Sequence, residues 1–403
     1  TLTPDTKNNW FAIDNADEFS DFMSMGTKSG KATKGRQEPE TIFKNYSSGV
    51  LTGRDATVYG FDSKAVSKQV QEFTEVFNDH VSRHKRKGKA QDIDDVVDYT
   101  KAKWSRNLKR KLTQDKYKEY STDYLRTAMY RPYAKRFLYF DTTVVDEVGQ
   151  FRRIYPNSIT ETENRTLWWK VGANDERWVL ITNCIADKLP NGGSQCFPFY
   201  VYDTDGGNRR ENITDWALKG FRAHYADESI SKWDIFYYVY ALLHHPDYRS
   251  RYQAALKKEL PRIPKVAGFA EFARIGKALA ELHLTYESAT PYPLTETWAK
   301  GRPADWRVAK MKFNKDKSAL TVNPALTLGG FPAAAFGYTL GGRSALDWVI
   351  EQYQVKTDKR SGIVSDPNQY SDDEKYIVEL VKRVTAVSVE TVRLVGELPP
   401  VSV

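Results

Sequence analysis

Apolar positions along the chain follow two periodicities, and these divide it into helical and extended stretches. Val66, Val70, Phe73, Phe77 and Val81 recur at spacings of three and four, which predicts a helix with one buried face, N-capped by Asp62 or Ser63. A second helix is expected over Asp92 to Leu112. After Arg131-Pro132-Tyr133 the pattern shortens to β-rich runs bounded by Gly, Asn, Asp and Pro: Phe137 to Val144, Thr166 to Val171, Arg177 to Ile185 and Cys196 to Tyr202. Helices then return. Ser231 and Asp234 have capping-box spacing ahead of an apolar run that ends before Pro246. Asp247 can cap a helix carrying Tyr248, Tyr252, Leu256 and Leu260, and Phe269, Phe272, Ile275, Leu279 and Leu282 line another. The last part alternates, with strand-like Trp306 to Phe313 and Ala319 to Asn323, a helix capped by Ser344 and Asp347, and a final helix that Ser371 and Glu374 would cap. No internal repeat is present. The expected class is α+β, with several helices packed beside short antiparallel strands.

Composition narrows the options. With 403 residues and 40% hydrophobic content the chain has room for two or three packed domains and is not mainly disordered. A mean hydropathy of −0.61 and the lack of any long apolar run leave no candidate membrane span. Thr1-Leu2-Thr3-Pro4-Asp5 lacks the layout of a signal peptide, and the absent initiator Met suggests a fragment or processed chain. Two cysteines, Cys184 and Cys196, make neither a disulfide framework nor a four-ligand zinc site; a reducing cytoplasm with both thiols in the core is the natural expectation.

The formal charge of +8 is unevenly spread. Val81 to Phe137 carries 17 Lys+Arg against 7 Asp+Glu, a net +10, so the remainder is −2. Arg83, Lys85, Arg86, Lys87, Lys89, Lys101, Lys103, Arg106, Lys109, Arg110 and Lys111 interleave with Trp104, Tyr117, Tyr120, Tyr124 and Tyr130. Cations neutralise phosphates and aromatic faces stack on bases, so the mixture fits a nucleic-acid surface. It equally fits a solvated helical face beside a Lys-rich loop.

Catalytic signatures occur only as near misses. Gly26 to Thr33 resembles a phosphate loop but has three residues between its glycines and no apolar strand before it. His80 and His84 lie one helical turn apart, yet Arg83, Lys85 and Arg86 would repel a cation and no third ligand is near, which favours a solvated helix end. His244-His245 suits a helix C-terminus. No Gly-x-Ser-x-Gly elbow, Rossmann fingerprint or Asn-Pro-Pro-aromatic motif occurs, and Asp94-Asp95 and Asp372-Asp373 sit where acids favour helix N-termini. Nothing here indicates catalysis within this segment.

Longer motifs resemble a known family. Thr52-Gly53-Arg54-Asp55 with Val58-Tyr59, Tyr130-Arg131-Pro132-Tyr133 with Lys135-Arg136, and Gly193 to Pro198 are similar to the C-terminal specificity region of type ISP restriction-modification enzymes. Asp234 to Pro246 with Tyr248-Arg249 and Leu260-Pro261-Arg262-Ile263-Pro264 is the most specific match, followed in order by Leu282-His283, Tyr286-Glu287, Ser361-Gly362-Ile363 and Asp366-Pro367-Asn368. The resemblance implies a target-recognition segment of a longer polypeptide that also carries a nuclease, an ATP-driven translocase and an adenine-N6 methyltransferase. Residues 1–60 would then be a loop-rich connection from the methyltransferase core, 61–130 a basic helical segment and 131–403 an α+β target-recognition domain. S-adenosylmethionine, ATP and Mg2+ would serve the upstream domains, with no cofactor in this segment.

Under that reading the partner is double-stranded DNA, and the segment presents a target adenine to the methyltransferase and directs ATP-dependent restriction. Phosphate contacts are expected from Arg54, Lys85, Arg86, Lys87, Arg131 and Arg136. Base reading needs forked side chains on loops: Asn183 and Gln195 suit adenine, Arg343 and Arg360 suit guanine. Each has an ordinary alternative, such as Gln195 bonding backbone or Arg343 capping the preceding segment. Phe236, Tyr237, Tyr238 and Tyr240 could stack on a base but fall on a helix face expected to be core. Two other functions compete: a stand-alone RNA or single-stranded DNA binding protein, and an enzyme of carbohydrate or phosphoester chemistry, with Trp168, Trp169 and Trp178 near Asp175 and Glu176 as a sugar platform with acids. The latter is disfavoured because adjacent residues on a strand face opposite ways.

Overall fold

The computed structural model of the protein describes residues 16–27, 39–87, 92–172, 176–190 and 192–402. The strands Ser47–Ser48 (β1), Tyr59–Gly60 (β2), Leu125–Arg131 (β3), Ala134–Tyr139 (β4), Thr166–Val171 (β5), Val179–Thr182 (β6), Ile185–Ala186 (β7) and Gly193–Pro198 (β8) make two four-stranded sheets. One has the order β2-β4-β3-β7, with only β7 parallel to its neighbour. The other, β1-β8-β5-β6, is antiparallel throughout. The single run expected over Arg177 to Ile185 therefore breaks at Asn183-Cys184, where the chain leaves one sheet and enters the other.

The central strand β5 is apolar on both sides because both sides are covered. Trp168 joins a core that includes Val66, Phe77, Leu138 and Val381, whereas Leu167 and Trp169 join a second core built on helices. The second core rests on Lys232–His244 (α3) and Phe269–Leu284 (α4), counting Ser63–Lys87 as α1 and Arg106–Leu112 as α2. The expected capping box forms at α3: the Ser231 hydroxyl accepts the Asp234 N–H at 3.2 Å and the Asp234 carboxylate takes the Ser231 N–H at 2.8 Å. Helices α3 and α4 approach so closely that a Cβ on Gly276 would lie 2.0 Å from the Tyr237 carbonyl oxygen, so the contact requires glycine. Phe236, Tyr238 and Tyr240 are buried here, as core packing required.

Helix α1 buries Val66, Val70, Phe73, Phe77 and Val81, and the Asp62 carboxylate accepts the Lys64 N–H at 2.8 Å at its start. The helix expected over Asp92 to Leu112 is different: Asp92 caps only a single turn at Ile93–Asp95, an irregular stretch follows, and α2 begins at Arg106 with Ser105 as its cap. Asp98 turns back on the Thr100 N–H and hydroxyl, so the chain bends where a helix would continue. The expected boundary between 130 and 131 falls inside β3.

A third antiparallel sheet, Thr295–Trp298 (β9), Lys312–Phe313 (β10), Ala319–Thr321 (β11) and Leu326–Gly329 (β12), has the order β9-β12-β11-β10. After Ala345–Gln352 (α5), whose Ser344–Asp347 capping box is present, comes an exposed hairpin, Lys356–Thr357 (β13) with Val364–Ser365 (β14). The chain then enters Tyr376–Gly396 (α6); Ser371 accepts the Asp373 N–H ahead of it and Lys375 occupies the N-cap position. The architecture is mixed α+β, as expected, and no helix among the described residues is long and apolar enough to cross a membrane.

Candidate nucleic-acid interface

Three sequence motifs separated by long stretches of chain meet around Tyr130. The β3–β4 turn places Tyr133 at φ +57, a conformation that non-glycine residues rarely adopt, and burial holds it there. Its ring packs 5.1 Å from Tyr286, and its hydroxyl donates to that of Tyr338 at 3.1 Å. Beside this turn the Tyr130 hydroxyl donates to Asp55 at 3.0 Å, and Arg131 donates to Asp187 at 3.0 Å while its guanidinium lies 3.9 Å from the Tyr130 ring centre. Asp187 also accepts the Tyr59 hydroxyl at 3.3 Å. Burial pushes the Asp187 carboxyl up to about 6 against the opposing pull of Arg131. Arg136, on β4, stacks between Phe61 and Tyr130, and the hairpin residues Ile363 and Asp366 close the same cavity. Phe61, Asp187 and Lys356 complete this cluster. No sequence signal marks them, because each arrives through a long-range contact.

Arg54, expected to hold phosphate, is instead an interior residue. Only 5% exposed, it pairs with Asp146 at 2.9 Å and donates to the Ser105 hydroxyl and the Val144 carbonyl. It ties the Thr52–Asp55 turn to the cap of α2 and does not reach the surface.

Exposed cations collect at the end of α1 and along the following irregular stretch. Lys85, Arg86 and Lys87 are exposed; Lys85 sits 4.0 Å over the Tyr117 ring, and Lys87 donates to the Asp95 carbonyl. Lys101, Lys103, Arg106 and Arg110 are exposed and make no ion pair among the described residues, whereas Arg83 is paired with Asp79 and Lys109 with Asp94. The β13–β14 hairpin lies against this stretch, with the Arg360 guanidinium donating to the Tyr99 carbonyl at 3.0 Å. Lys359 and Arg360 thereby join a surface whose other cations lie some 260 positions earlier. Trp104 is buried, while the exposed rings of Tyr117 and Tyr124 are covered by Lys85 and Lys118.

The four base-reading candidates do not share one place. Arg360 is at the hairpin tip, and Asn183 is half-buried at the crossover between sheets. Arg343 pairs with Glu351 and lies 5.1 Å from the Trp348 ring centre. Gln195 is not on a loop: it sits within β8, opposite Trp169 on one side and Ser48 on the other, and its carbonyl oxygen is buried without a hydrogen-bond partner among the described residues.

The near misses resolve into structural roles. His80 takes the Asp98 N–H and bonds the Val76 carbonyl, and His84 pairs with Asp115, so both are buried fastenings, not a solvated helix end. His245 caps the helix that starts at Pro246, in place of Asp247. Both cysteines are buried, with burial pushing the Cys184 thiol up to about 11. No cluster of three metal-ligating side chains occurs among the described residues. Trp168, Trp169 and Trp178 are buried and offer no sugar platform. Asp175, Lys89 and Lys28 to Thr33 lie outside the described residues.

Comparison with known proteins fits this arrangement. The family profile of the Type ISP C-terminal specificity domain matches residues 41–380. Among solved structures, a nuclease-deletion mutant of the Type ISP restriction-modification enzyme LlaGI, in complex with a DNA substrate mimic, is similar to 99% of this chain at 32% identity and a TM-score of 0.85. The DrdV–DNA complex matches over 99% at 33% identity and 0.85, and the ATP-dependent Type ISP enzyme LlaBIII bound to DNA over 99% at 28% and 0.84. This chain spans 36%, 40% and 25% of those chains, respectively. No curated protein matches it significantly. With a profile covering most of its length and a structural likeness over nearly all of it, the chain belongs to the Type ISP C-terminal specificity domain family.

Proposed function

We propose that this chain recognises a duplex DNA target for a longer restriction-modification polypeptide. In that polypeptide it presents a target adenine to an adjoining N6-adenine methyltransferase and directs ATP-dependent restriction. The observation that carries the reading is the exposed basic surface, without ion pairs among the described residues, assembled from Lys85 to Lys87, Lys101, Lys103 and the hairpin tip at Lys359 and Arg360. Such a surface neutralises phosphates and orients the protein, while the fewer forked side chains at its edge read bases. DNA-bound relatives of the same fold support it. S-adenosylmethionine, ATP and Mg2+ belong to the upstream methyltransferase, translocase and nuclease parts of this proposal. A cytoplasmic location goes with it.

Duplex is preferred over single strands here because Trp104 is buried, Tyr117 and Tyr124 lie under Lys85 and Lys118, Tyr120 stacks on Tyr139 and Tyr130 is flanked by Arg131 and Arg136, so these rings are already engaged within the protein. The test is duplex affinity against salt for the wild type and for a Lys85→Ala, Arg86→Ala, Lys87→Ala variant, with single-stranded competitor in parallel. Each phosphate contact contributes about 0.9 to the slope of log affinity on log salt, so the triple variant is expected to flatten it by two to three such increments. An unchanged slope removes these residues from the interface, and preferential capture of the single strand replaces the duplex reading. Asn183→Ala and Arg360→Ala are expected to relax preference at one position each; uniform weakening across sites would assign them to the backbone.

A further inference from the structure

The stretch 98–104 belongs to no helix or strand, yet it carries Lys101 and Lys103 of the basic surface. Asp98 organises it. The Asp98 carboxylate accepts the Thr100 N–H at 2.9 Å and the Thr100 hydroxyl at 2.6 Å, while its carbonyl accepts the Lys101 N–H at 3.2 Å and the Trp104 indole N–H at 3.0 Å. These bonds close the stretch on itself. On its outer side the Tyr99 and Ala102 carbonyls accept the Arg360 guanidinium at 3.0 and 3.5 Å, so the hairpin tip takes its place from the same stretch.

A side chain of α1 attaches this turn to the body of the molecule. His80, wholly buried, takes the Asp98 N–H on Nε2 at 3.0 Å. A backbone N–H only donates, so Nε2 holds a lone pair and the ring proton sits on Nδ1, which donates to the Val76 carbonyl at 2.6 Å. A single tautomer satisfies both bonds. The ring also packs 4.7 Å from the Trp104 ring centre, and Trp104 stacks 6.2 Å from Phe77. A phenyl ring in place of the imidazole would keep this packing and strand the Asp98 N–H, whereas a carboxamide would keep an acceptor for it.

We propose that His80 is a positioning residue for DNA recognition: its Nε2 lone pair seats residues 98–104 on α1 and thereby holds Lys101, Lys103 and the Arg360 tip where backbone phosphates meet them. His80 itself touches no DNA. The positioning role rests on the duplex-recognition reading above; the clasp between His80 and Asp98 does not. The clasp also divides the basic surface in two, because Lys85, Arg86 and Lys87 ride on the end of α1 and reach their places without it.

The test uses the whole chain as wild type, His80→Phe, His80→Gln and a Lys101→Ala, Lys103→Ala variant. Amide hydrogen exchange at Asp98, read without DNA, is expected to be slow in the wild type and in His80→Gln and fast in His80→Phe. Duplex binding against salt is expected to lose about 1.8 of slope in the lysine variant, at about 0.9 per phosphate contact. His80→Phe should lose at least as much, since Arg360 shifts with the stretch, and adding the lysine substitutions to it should remove nothing further. His80→Gln should keep the wild-type slope. Lys85→Ala, Arg86→Ala and Lys87→Ala should still flatten the slope of His80→Phe. If His80→Phe does not fold, Trp104→Phe loosens the stretch from its other end by dropping the bond to the Asp98 carbonyl, and is expected to flatten the slope without adding to the lysine variant. Fast exchange at Asp98 in the wild type overturns the clasp. Fast exchange in His80→Phe with an undiminished slope, or equal losses in the Phe and Gln variants, overturns the positioning role. If the wild type binds no duplex at all, the DNA reading fails while exchange at Asp98 still decides the clasp.

Discussion

Asp187 shows how one carboxylate reports on the cluster around Tyr130. Its pKa is raised to about 6 by burial, above its ordinary value of 3.8, so between those pH values the folded state binds more protons than the unfolded chain. Its contribution is therefore most favourable at low pH and declines as pH rises from about 4 to 6. Asp187→Asn is expected to remove that decline: wild type minus variant stability, from urea melts, should fall across this interval, and the Asp187 carboxyl should titrate near 6 by NMR. Arg54 makes the opposite point about reading cations from sequence. Arg54→Ala strands Asp146 inside and is expected to cost about 3 to 5 kcal/mol in urea unfolding while leaving the duplex salt slope unchanged. Arg54 and Arg136 both stand in family-like motifs, and nothing local tells them apart. The partner of one lies 92 positions away, whereas the other is flanked by two rings and makes no hydrogen bond or ion pair among the described residues, which only the assembled fold reveals.

At the scale of elements, local chemistry was legible and long-range pairing was not. The helices after Ser231 and Ser344 are fixed by caps three residues apart, so their starts are readable directly. The 92–112 stretch misleads because Asp92 and Asp94-Asp95 are good first-turn residues and Ile93, Val96 and Val97 have helical spacing and pack on the core, yet Asp98 then bonds Thr100 and turns the chain away from the helix. Strand β3 hides at the end of the basic run, since Arg126 and Arg131 obscure its alternation; Arg126 is drawn inward by Glu161. Gly276 tests an element contact. Alanine is the better helix former by about 1 kcal/mol, but here its Cβ would meet the Tyr237 carbonyl. Gly276→Ala is expected to lower Tm by forcing α3 and α4 apart, a net loss of about 1 to 3 kcal/mol. A rise in Tm would show that the helices separate freely.

Across the whole molecule, β5 joins the two cores by turning Trp168 to one and Trp169 to the other. A sheet shared in this way couples their unfolding. Trp168→Ala and Trp169→Ala are each expected to cost about 3 to 5 kcal/mol and to shift one common transition, with coincident midpoints by circular dichroism and fluorescence. Two separated transitions would mean that the cores melt independently. The opposite faces of adjacent tryptophans follow from strand geometry alone, so this much of the architecture was accessible before any coordinates. Which helices cover which face was not, because an apolar strand buried on both sides carries no label for its partners.

The hairpin between Lys356 and Ser365 has only two residues in each strand and contributes no residue to either core. Lengthening its tip costs little, since doubling a loop adds only about 0.6 kcal/mol of closure entropy. Variation can therefore accumulate at Lys359 and Arg360 without endangering folding. A lineage under pressure to change its preferred DNA could alter the reach of this projection in small steps, and the same spot is where an engineer would graft new loops first.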